Sequence, residues 1–351
     1  MNYTIFGESH GPAIGVTLTD VPSGLFLDET FIAGELARRA TGKNALSTAR
    51  KEADQVEILS GVFQGKTTGT PLAMLIRNSD QHSGDYENIK NCPRPGHADF
   101  PGYVRYGGYN DYRGGGHFSG RLTAPLVAAG AVAKLLLREK NVLTAAHIAS
   151  VGGILDESID PVRPDMAALT ACGKKPFPTL SDEAGAQMQA LILQCRAEQD
   201  SVGGVIECAV TGLPVGLGAP DFDRNAETEF ARQLFAIPAV KGLEFGDGFG
   251  LSGLRGSAAN DSWTMEDGKA VSRTNHNGGI LGGITTGMPI VFRAALKPTP
   301  SIGLPQQTVD LRTGEDTTLE ITGRHDPCIV HRAVPVVEAA SALAAVNLLK
   351  L

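Results

Sequence analysis

The sequence predicts an α+β protein in which two alanine-rich helices lie between β-sheets. Three observations carry the prediction. Strand-like segments recur in the same order in both halves of the chain, two helical segments are apolar on every face, and the chemistry-bearing residues collect in the turns between these elements. With 351 residues, of which 42% are hydrophobic and 20% charged, the chain can bury a large core.

The first element pair is GPAIGVTLTDVPSGL (11–25) and GGVIECAVTGLPVGL (203–217), alternating β-type runs each closed by a Pro-x-Gly turn. Helical stretches follow, with Glu35-Leu36-Ala37-Arg38 in the first half and Glu229-Phe230-Ala231-Arg232 in the second. Next come GKTTGTPLAMLIR (65–77) and GGITTGMPIVFRA (282–294), each a TTG turn, a proline and an apolar strand. Each half then places a histidine turn, RPGHAD (94–99) or GRHDP (323–327), and ends on an alanine-rich helix, Pro125–Leu137 or Pro335–Leu349. Five matches in one order imply an internal duplication with a pseudo-twofold axis, with repeats at roughly 1–150 and 200–351.

Val127–Ala133 and Ala339–Ala345 carry small residues all round and few charges, so both helices are expected to be buried on all sides. Halves that share such a core cannot fold apart, and a single domain over 1–351 is expected. Cys172–Leu180, with its KKPFP, has no counterpart and is expected to be a surface excursion.

The five cysteines are widely spaced and form no CxxC pair, which argues against a disulfide framework and a structural zinc. Cys328 is expected to be a buried small hydrophobe. A net charge of −7 disfavours nucleic acid as a partner. No apolar run approaches the roughly 20 residues that span a bilayer. The chain opens almost within its first strand, so the cytoplasm is the expected location. Arginines are scattered into turns (Arg38, Arg39, Arg50, Arg94, Arg113, Arg121, Arg324), which suggests a confined pocket for a small, multiply charged anion.

Four of the eight histidines sit in glycine- or proline-rich turns: His10 in GESHG (7–11), His97, His117 in DYRGGGHFSGR (111–121), and His325. A solvated loop histidine would account for any one of them. Four set beside arginines suit proton transfer on an anion. GESHG matches the serine nucleophile elbow, but a strand-like run follows it where the elbow requires a helix. Gly248–Gly253 matches G-x-G-x-x-G, but turn formers follow, so a dinucleotide fold is not supported. Arg113-Gly-Gly-Gly-His117 differs from both. Three glycines allow close approach to a ligand with consecutive N–H groups free to face an anion, Ser119 and Arg121 add donors, and a helix begins near Pro125. Lys297-Pro-Thr-Pro-Ser301 is a stiff polar turn able to hold a phosphate or a flavin edge.

Taken together, GESHG, KEADQVEILSGVFQGKTTGTP (51–71), RPGHAD, DYRGGG (111–116), QDSVGG (199–204), PAVKGLEFGDGF (238–249), NHNGGILGGITTG (275–287), KPTPSI (297–302) and GRHDPC (323–328) resemble the chorismate synthase family over essentially the full chain. The resemblance implies a carbon–oxygen lyase of the shikimate pathway. Its reaction is a 1,4-anti elimination of phosphate from 5-enolpyruvylshikimate 3-phosphate that gives chorismate and needs reduced FMN without net redox change. It also implies a homotetramer of β-α-β sandwiches, each with two antiparallel sheets around central helices.

By the same resemblance, His10 and His97 match the proton-transfer histidines, and Asp326 matches the aspartate that assists removal of the ring proton. His117, Phe118, Ser119, Pro238, Ala239, Gly282, Lys297, Pro298, Thr299, Pro300, Ser301 and Arg324 fall at FMN contacts. Arg39 matches an arginine that meets substrate or nicotinamide nucleotide, and Arg50, Arg121 and Arg324 complete the substrate set.

The chain departs from the family pattern at three places. It lacks a short stretch ahead of the first strand, so the edge of the first sheet is expected to differ. Ala45 stands where relatives commonly carry arginine, with Lys43 or Arg50 as substitutes. His117 stands where many relatives have arginine. No nucleotide-binding insertion is evident, so an external flavin reductase is expected to supply the reduced cofactor. The alternatives are a flavin-binding relative that does not catalyse the elimination and a serine hydrolase that uses Ser9.

Overall fold

The computed structural model describes residues 1–40, 46, 54–79, 89–321 and 326–351. Arg50, Arg324, Lys43 and Ala45 lie outside the described residues.

The first half runs β1 (Asn2–Gly7), β2 (Ala13–Thr19), α1 (Glu29–Arg39), β3 (Val56–Ser60), a hairpin of β4 (Val62–Phe63) and β5 (Lys66–Thr67), β6 (Leu72–Arg77), α2 (Asp99–Arg105) and α3 (Thr123–Arg138). The second half runs β7 (Leu143–Val151), β8 (Ile154–Leu155), α4 (Met166–Cys172), α5 (Asp182–Ala197), β9 (Gly204–Thr211), α6 (Ala226–Leu234) and β10 (Val240–Phe245). It continues through α7 (Gly256–Ala259), the hairpins β11–β12 (Trp263–Glu266, Lys269–Ser272) and β13–β14 (Ile280–Leu281, Ile284–Thr285), β15 (Ile290–Leu296), the hairpin β16–β17 (Gln306–Asp310, Glu315–Leu319) and α8 (Val330–Leu349).

Both large sheets are antiparallel. The first has the order β1-β2-β6-β3 and the second β10-β15-β9-β7-β8. Strands matched in sequence take matched places: β2 pairs with β6 as β9 pairs with β15. The TTG turns leave equivalent two-strand hairpins, β4–β5 and β13–β14. Leu143–Val151 joins the second sheet beside β9.

The helices α3 and α8 pack on each other, α3 also against the first sheet and α8 against the second, giving a β-α-β sandwich. Small side chains permit this close approach. A β-carbon on Gly130 would lie 2.2 Å from Ala339 Cβ, so the two backbones touch where a larger residue would force them apart.

Three sequence expectations are corrected. α8 begins at Val330, five residues before Pro335, which is tolerated inside the helix although the ring removes one backbone donor. With 20 residues and an apolar composition, α8 also reaches the length expected to be absent, but most of it is buried within the protein. Lys134 and Glu338, among the few charges these helices carry, pair with each other, as expected of core helices. Glu338 is 2% exposed and accepts from Arg38 (2.6 and 2.7 Å), Lys134 and the Ala146 N–H (3.1 Å). Glu35 accepts from the same two cations. Burial alone would raise the Glu338 carboxyl pKa, but Lys134 and Arg38 outweigh burial and hold it below the usual range. Finally, 172–180 is not a surface excursion. Phe177 reaches the core to stack on His331, and Ile148 N–H donates to Pro178 O.

Ala129 and Ala342 are fully buried in α3 and α8. Either residue changed to Asp should cost about 3–5 kcal/mol of unfolding free energy, because the carboxylate would have no partner. Neither 1–170 nor 200–351 should unfold cooperatively when expressed alone. Thermal and urea denaturation test both expectations, and a cooperatively folding half would contradict the shared-core account.

Candidate functional site

The N-termini of α3 and α8 open on one cavity of about 860 Å³. Thr123 and Leu126 line it from α3, and Ile329, Arg332, Ala333 and Val336 from α8. Neither helix carries a side-chain cap at its start, and the positive ends of the two helix dipoles give this wall a positive bias. Among the described residues, six cationic side chains line the cavity, Arg39, Arg94, Arg121, Lys241, Lys297 and Arg332, against one carboxylate, Asp326. Each helix end is worth roughly 0.3–1 kcal/mol toward an anion, less than one desolvated guanidinium pair, so the cations dominate.

The 8–11 turn joins β1 to β2 and is pinned by Asn78, whose Nδ2 donates to Glu8 O at 3.1 Å and to Gly11 O at 2.8 Å. The chain then continues as a strand, so the nucleophile-elbow geometry is absent. Ser9 N–H donates to Gly116 O at 3.1 Å, joining this turn to the glycine loop.

Gly114, Gly115 and Gly116 all have positive φ (58°, 84° and 54°). A β-carbon at Gly114 would lie 2.2 Å from Cε1 and Nδ1 of His10, and one at Gly115 would lie 3.0 Å from His97 Nε2. The glycines therefore let one loop lie against both histidines. They do not form the expected open row of donors, since Gly115 N–H is used by Tyr112 O.

On the next wall, the fully buried Asp54 gives one oxygen to each of two guanidiniums. Oδ2 accepts from Arg39 at 2.6 Å, and Oδ1 accepts from Arg121. Arg39 Nε also donates to Thr123 Oγ1 at 3.0 Å, tying α1 to the start of α3. Arg332 Nη1 holds Asp326 Oδ2 at 2.5 Å, and Arg332 Nε donates to Arg39 O at 3.2 Å.

On the far side, Lys297 N–H donates to the carbonyl of Ala239, a non-glycine residue at φ 73°, and its ammonium donates to Gly96 O. Burial first, and then the charge of Lys241, hold the Lys297 ammonium pKa below its ordinary value. Lowering by a like charge suits a pair built to share an anion. Thr299 Oγ1 is buried with no hydrogen-bond partner among the described residues.

The cavity brings together most of the residues predicted from sequence: His97, Asp326, His117, Phe118, Ser119, Pro238, Ala239, Lys297, Thr299, Pro300, Ser301, Arg39 and Arg121. Ser9 lines it too. His10 does not. It is 5% exposed and lies behind Gly114, one glycine's thickness from the cavity. Pro298 does not line the cavity, and Gly282 sits exposed in the turn between β13 and β14. His117 is exposed, with Nδ1 2.9 Å from Gly7 O.

Arg38 is engaged with Glu35 and Glu338 and does not reach the cavity, and Arg113 pairs with Asp111 at 2.8 Å on the surface side. Cys328 is buried as expected, its thiol pushed up to about 12 by burial. Sequence reading gave no role to Lys241, Arg332 or Asp54. Lys241 is the lone cation in an otherwise uncharged stretch, a weak signal that could have been read. Arg332 and Asp54 are site residues only through the tertiary fold.

The family model described as chorismate synthase matches residues 1–349. The chain is 48% identical over 350 residues to a chorismate synthase from Thermococcus kodakarensis, covering 97% of this chain and 94% of that relative. It is 50% identical over 346 residues to one from Methanocella arvoryzae, covering 98% and 91%. A crystal structure of a chorismate synthase superposes with a TM-score of 0.78 at 28% identity, covering 99% of this chain and 91% of that one.

Gly114→Ala tests the loop geometry. A left-handed backbone and a β-carbon in the His10 ring would displace the loop, and a shift near 1 Å costs about 10²-fold in rate. Turnover should fall by at least about that factor with little change in melting temperature. Wild-type turnover would show that the loop does not set the histidine geometry.

Proposed function

The chain belongs to the chorismate synthase family, carbon–oxygen lyases that eliminate phosphate from 5-enolpyruvylshikimate 3-phosphate to give chorismate, and we propose that the cavity between the N-termini of α3 and α8 is where it does so, with reduced FMN bound beside the substrate. The observation that carries this reading is the cavity's excess of cations around one carboxylate. The substrate has a phosphate and two carboxylates, and guanidiniums match such groups with paired, charge-assisted hydrogen bonds.

The residues present fit a flavin mononucleotide. A volume of about 860 Å³ is near the top of the range of roughly 300–1,000 Å³ for ligand pockets, which leaves room for two ligands. Phe118, Leu126, Ile237, Leu296 and Val336 offer apolar surface for a ring system. Lys241 and Lys297 offer charge for a phosphate, and the orphaned Thr299 hydroxyl needs a partner. When bound, reduced FMN supplies transient electron density that no side chain can lend and recover.

In this reading Arg39, Arg121 and Arg332 hold the anionic substrate and stabilise charge on the departing phosphate oxygen. His97, at the wall, holds and moves a proton at Nε2. His10 moves its proton from behind Gly114, toward which it turns Cε1 and Nδ1. Asp326, its direction fixed by Arg332, assists removal of the ring proton. The apolar wall keeps bulk water from the reacting face. Pro238 and Ala239 shape the flavin side by contact.

The same reading extends to assembly and supply. The family's homotetramer is supported by exposed aromatic and aliphatic side chains on and after α2: Phe100 (51%), Val104 (62%) and Tyr109 (95%). Light scattering should give four times 36.8 kDa. An external flavin reductase in the cytoplasm fits residues 248–253, which form a 3₁₀ turn rather than a glycine loop opening a long helix.

Anaerobic assay with photoreduced FMN, following chorismate absorbance, tests the proposal. Activity should vanish with oxidised FMN and consume no reductant stoichiometrically. His97→Ala and His10→Ala should each lower turnover by about 10²–10⁴-fold with much smaller changes in affinity. Asp326→Asn should lose rate and still bind FMN, and Arg332→Ala should chiefly weaken substrate binding. Equal activity with oxidised flavin would contradict the flavin role, and unimpaired His97→Ala would remove the proton-transfer assignment.

A further inference from the structure

His97 does not stand alone in its turn. Its Nδ1 lies 2.5 Å from Asp99 Oδ1, and Asp99 is itself held on both oxygens by Arg94. Arg94 Nε and its backbone N–H donate to Oδ2 at 2.7 and 3.0 Å, and Nη2 donates to Oδ1 at 2.8 Å. Nη1 of the same guanidinium donates to Ser301 Oγ at 3.0 Å, fastening the turn to the segment after β15. Asp99 and Arg94 are both buried.

We propose that Asp99 is a positioning residue for His97, whose carboxylate fixes the imidazole in the Nδ1–H tautomer and leaves Nε2 as the basic atom facing the glycine loop. The opposite tautomer would set a nitrogen lone pair against a carboxylate oxygen at 2.5 Å with no proton between them. With the proton on Nδ1, the lone pair is on Nε2; Arg94 Nη2 lies nearly equidistant from the two ring nitrogens, 3.1 Å from Nδ1 and 3.3 Å from Nε2, so the 2.5 Å contact with Asp99 selects the tautomer. The Nε2 edge is the one Gly115 passes, since a β-carbon there would come within 3.0 Å of Nε2. Burial would raise the Asp99 carboxyl pKa, but the hydrogen bonds from Arg94 and His97 outweigh it and hold the group well below the usual carboxylate range, so it stays an acceptor. The four-residue chain Ser301–Arg94–Asp99–His97 thus sets the ring's direction and tautomer from the opposite wall of the cavity.

The proposal rests on the proton-transfer role given to His97 above, and the test separates the two. The full-length protein is labelled with ¹⁵N-histidine, and ring correlations are recorded at about pH 9, where an ordinary imidazole is neutral. His97 is assigned by its loss in His97→Gln. Wild-type His97 should be the Nδ1–H tautomer. In Asp99→Asn the amide can donate to Nδ1, so the ring should switch to Nε2–H. kcat should fall by about 10²–10⁴-fold, as tautomer inversion does in a serine-protease triad, with KM changed by no more than about threefold. Asp99→Glu should keep the Nδ1–H tautomer and recover at least about tenfold of the lost kcat.

An Nε2–H ring in the wild type, or an unchanged tautomer in Asp99→Asn, overturns the proposal whatever the activity. The wild-type spectrum decides the question even if Asp99→Asn does not fold. An inverted tautomer with wild-type kcat supports the hold of Asp99 on the ring and removes instead the proton-transfer role of His97.

Discussion

Gly130 in α3 and Ala339 in α8 meet with no room for another carbon between them, and the positions of both sheets follow from that contact. Each helix carries a sheet on its outer side, so the spacing of the helices sets the spacing of the sheets. Beside the contact, Lys134 and Arg38 are closed over Glu35 and Glu338, which ties α1, α3 and α8 to the strand that supplies the Ala146 N–H. Breaking such a network by removing one partner leaves a buried charge, commonly a loss of about 3–5 kcal/mol. Dispersion acts across the helix contact, and the ion network spans the three helices beside it.

The cavity is a consequence of this arrangement. Because the two helices begin at the same place, their positive dipole ends face a common space, with Arg121 from the turn ahead of α3 and Arg332 from the first turn of α8. Like charges at this density would repel in the empty site. Carboxylates separate them: the buried Asp54 between Arg39 and Arg121, the buried Asp99 against Arg94, and the half-buried Asp326 against Arg332. Each takes up part of the charge and fixes a direction, so the cations are ordered before a ligand arrives. Such preorganisation is what lets charge act on a transition state without reorganisation at the moment of reaction.

The repeat, the two buried helices and the turn residues were legible in the sequence because each rests on local pattern: alternation, all-round small residues, and glycine or proline beside a histidine. Pro335 shows where that reading stops. Proline is a good first-turn residue, so the boundary was placed there, whereas tertiary packing sustains five helical residues ahead of it. Phe177 was hidden by the polar KKPFP around it, and only its stacking on His331 reveals it as core. Arg38 and Arg39 are adjacent on α1, yet one faces the ion network and the other the cavity, a distinction that depends on the helix's rotation in the fold. Arg332 and Asp54 acquire meaning only when the fold sets them against Arg39 and the cavity.

The central claim is that one cavity, at the joint beginning of α3 and α8, holds both substrate and flavin. A crystal structure of the protein with FMN and 5-enolpyruvylshikimate 3-phosphate tests it most directly. The account predicts both molecules in that cavity, with the substrate's anionic groups on Arg39, Arg121 and Arg332 and the flavin phosphate on the Lys241 and Lys297 side. Either molecule bound away from the helix N-termini, with the cavity left to solvent, would contradict it.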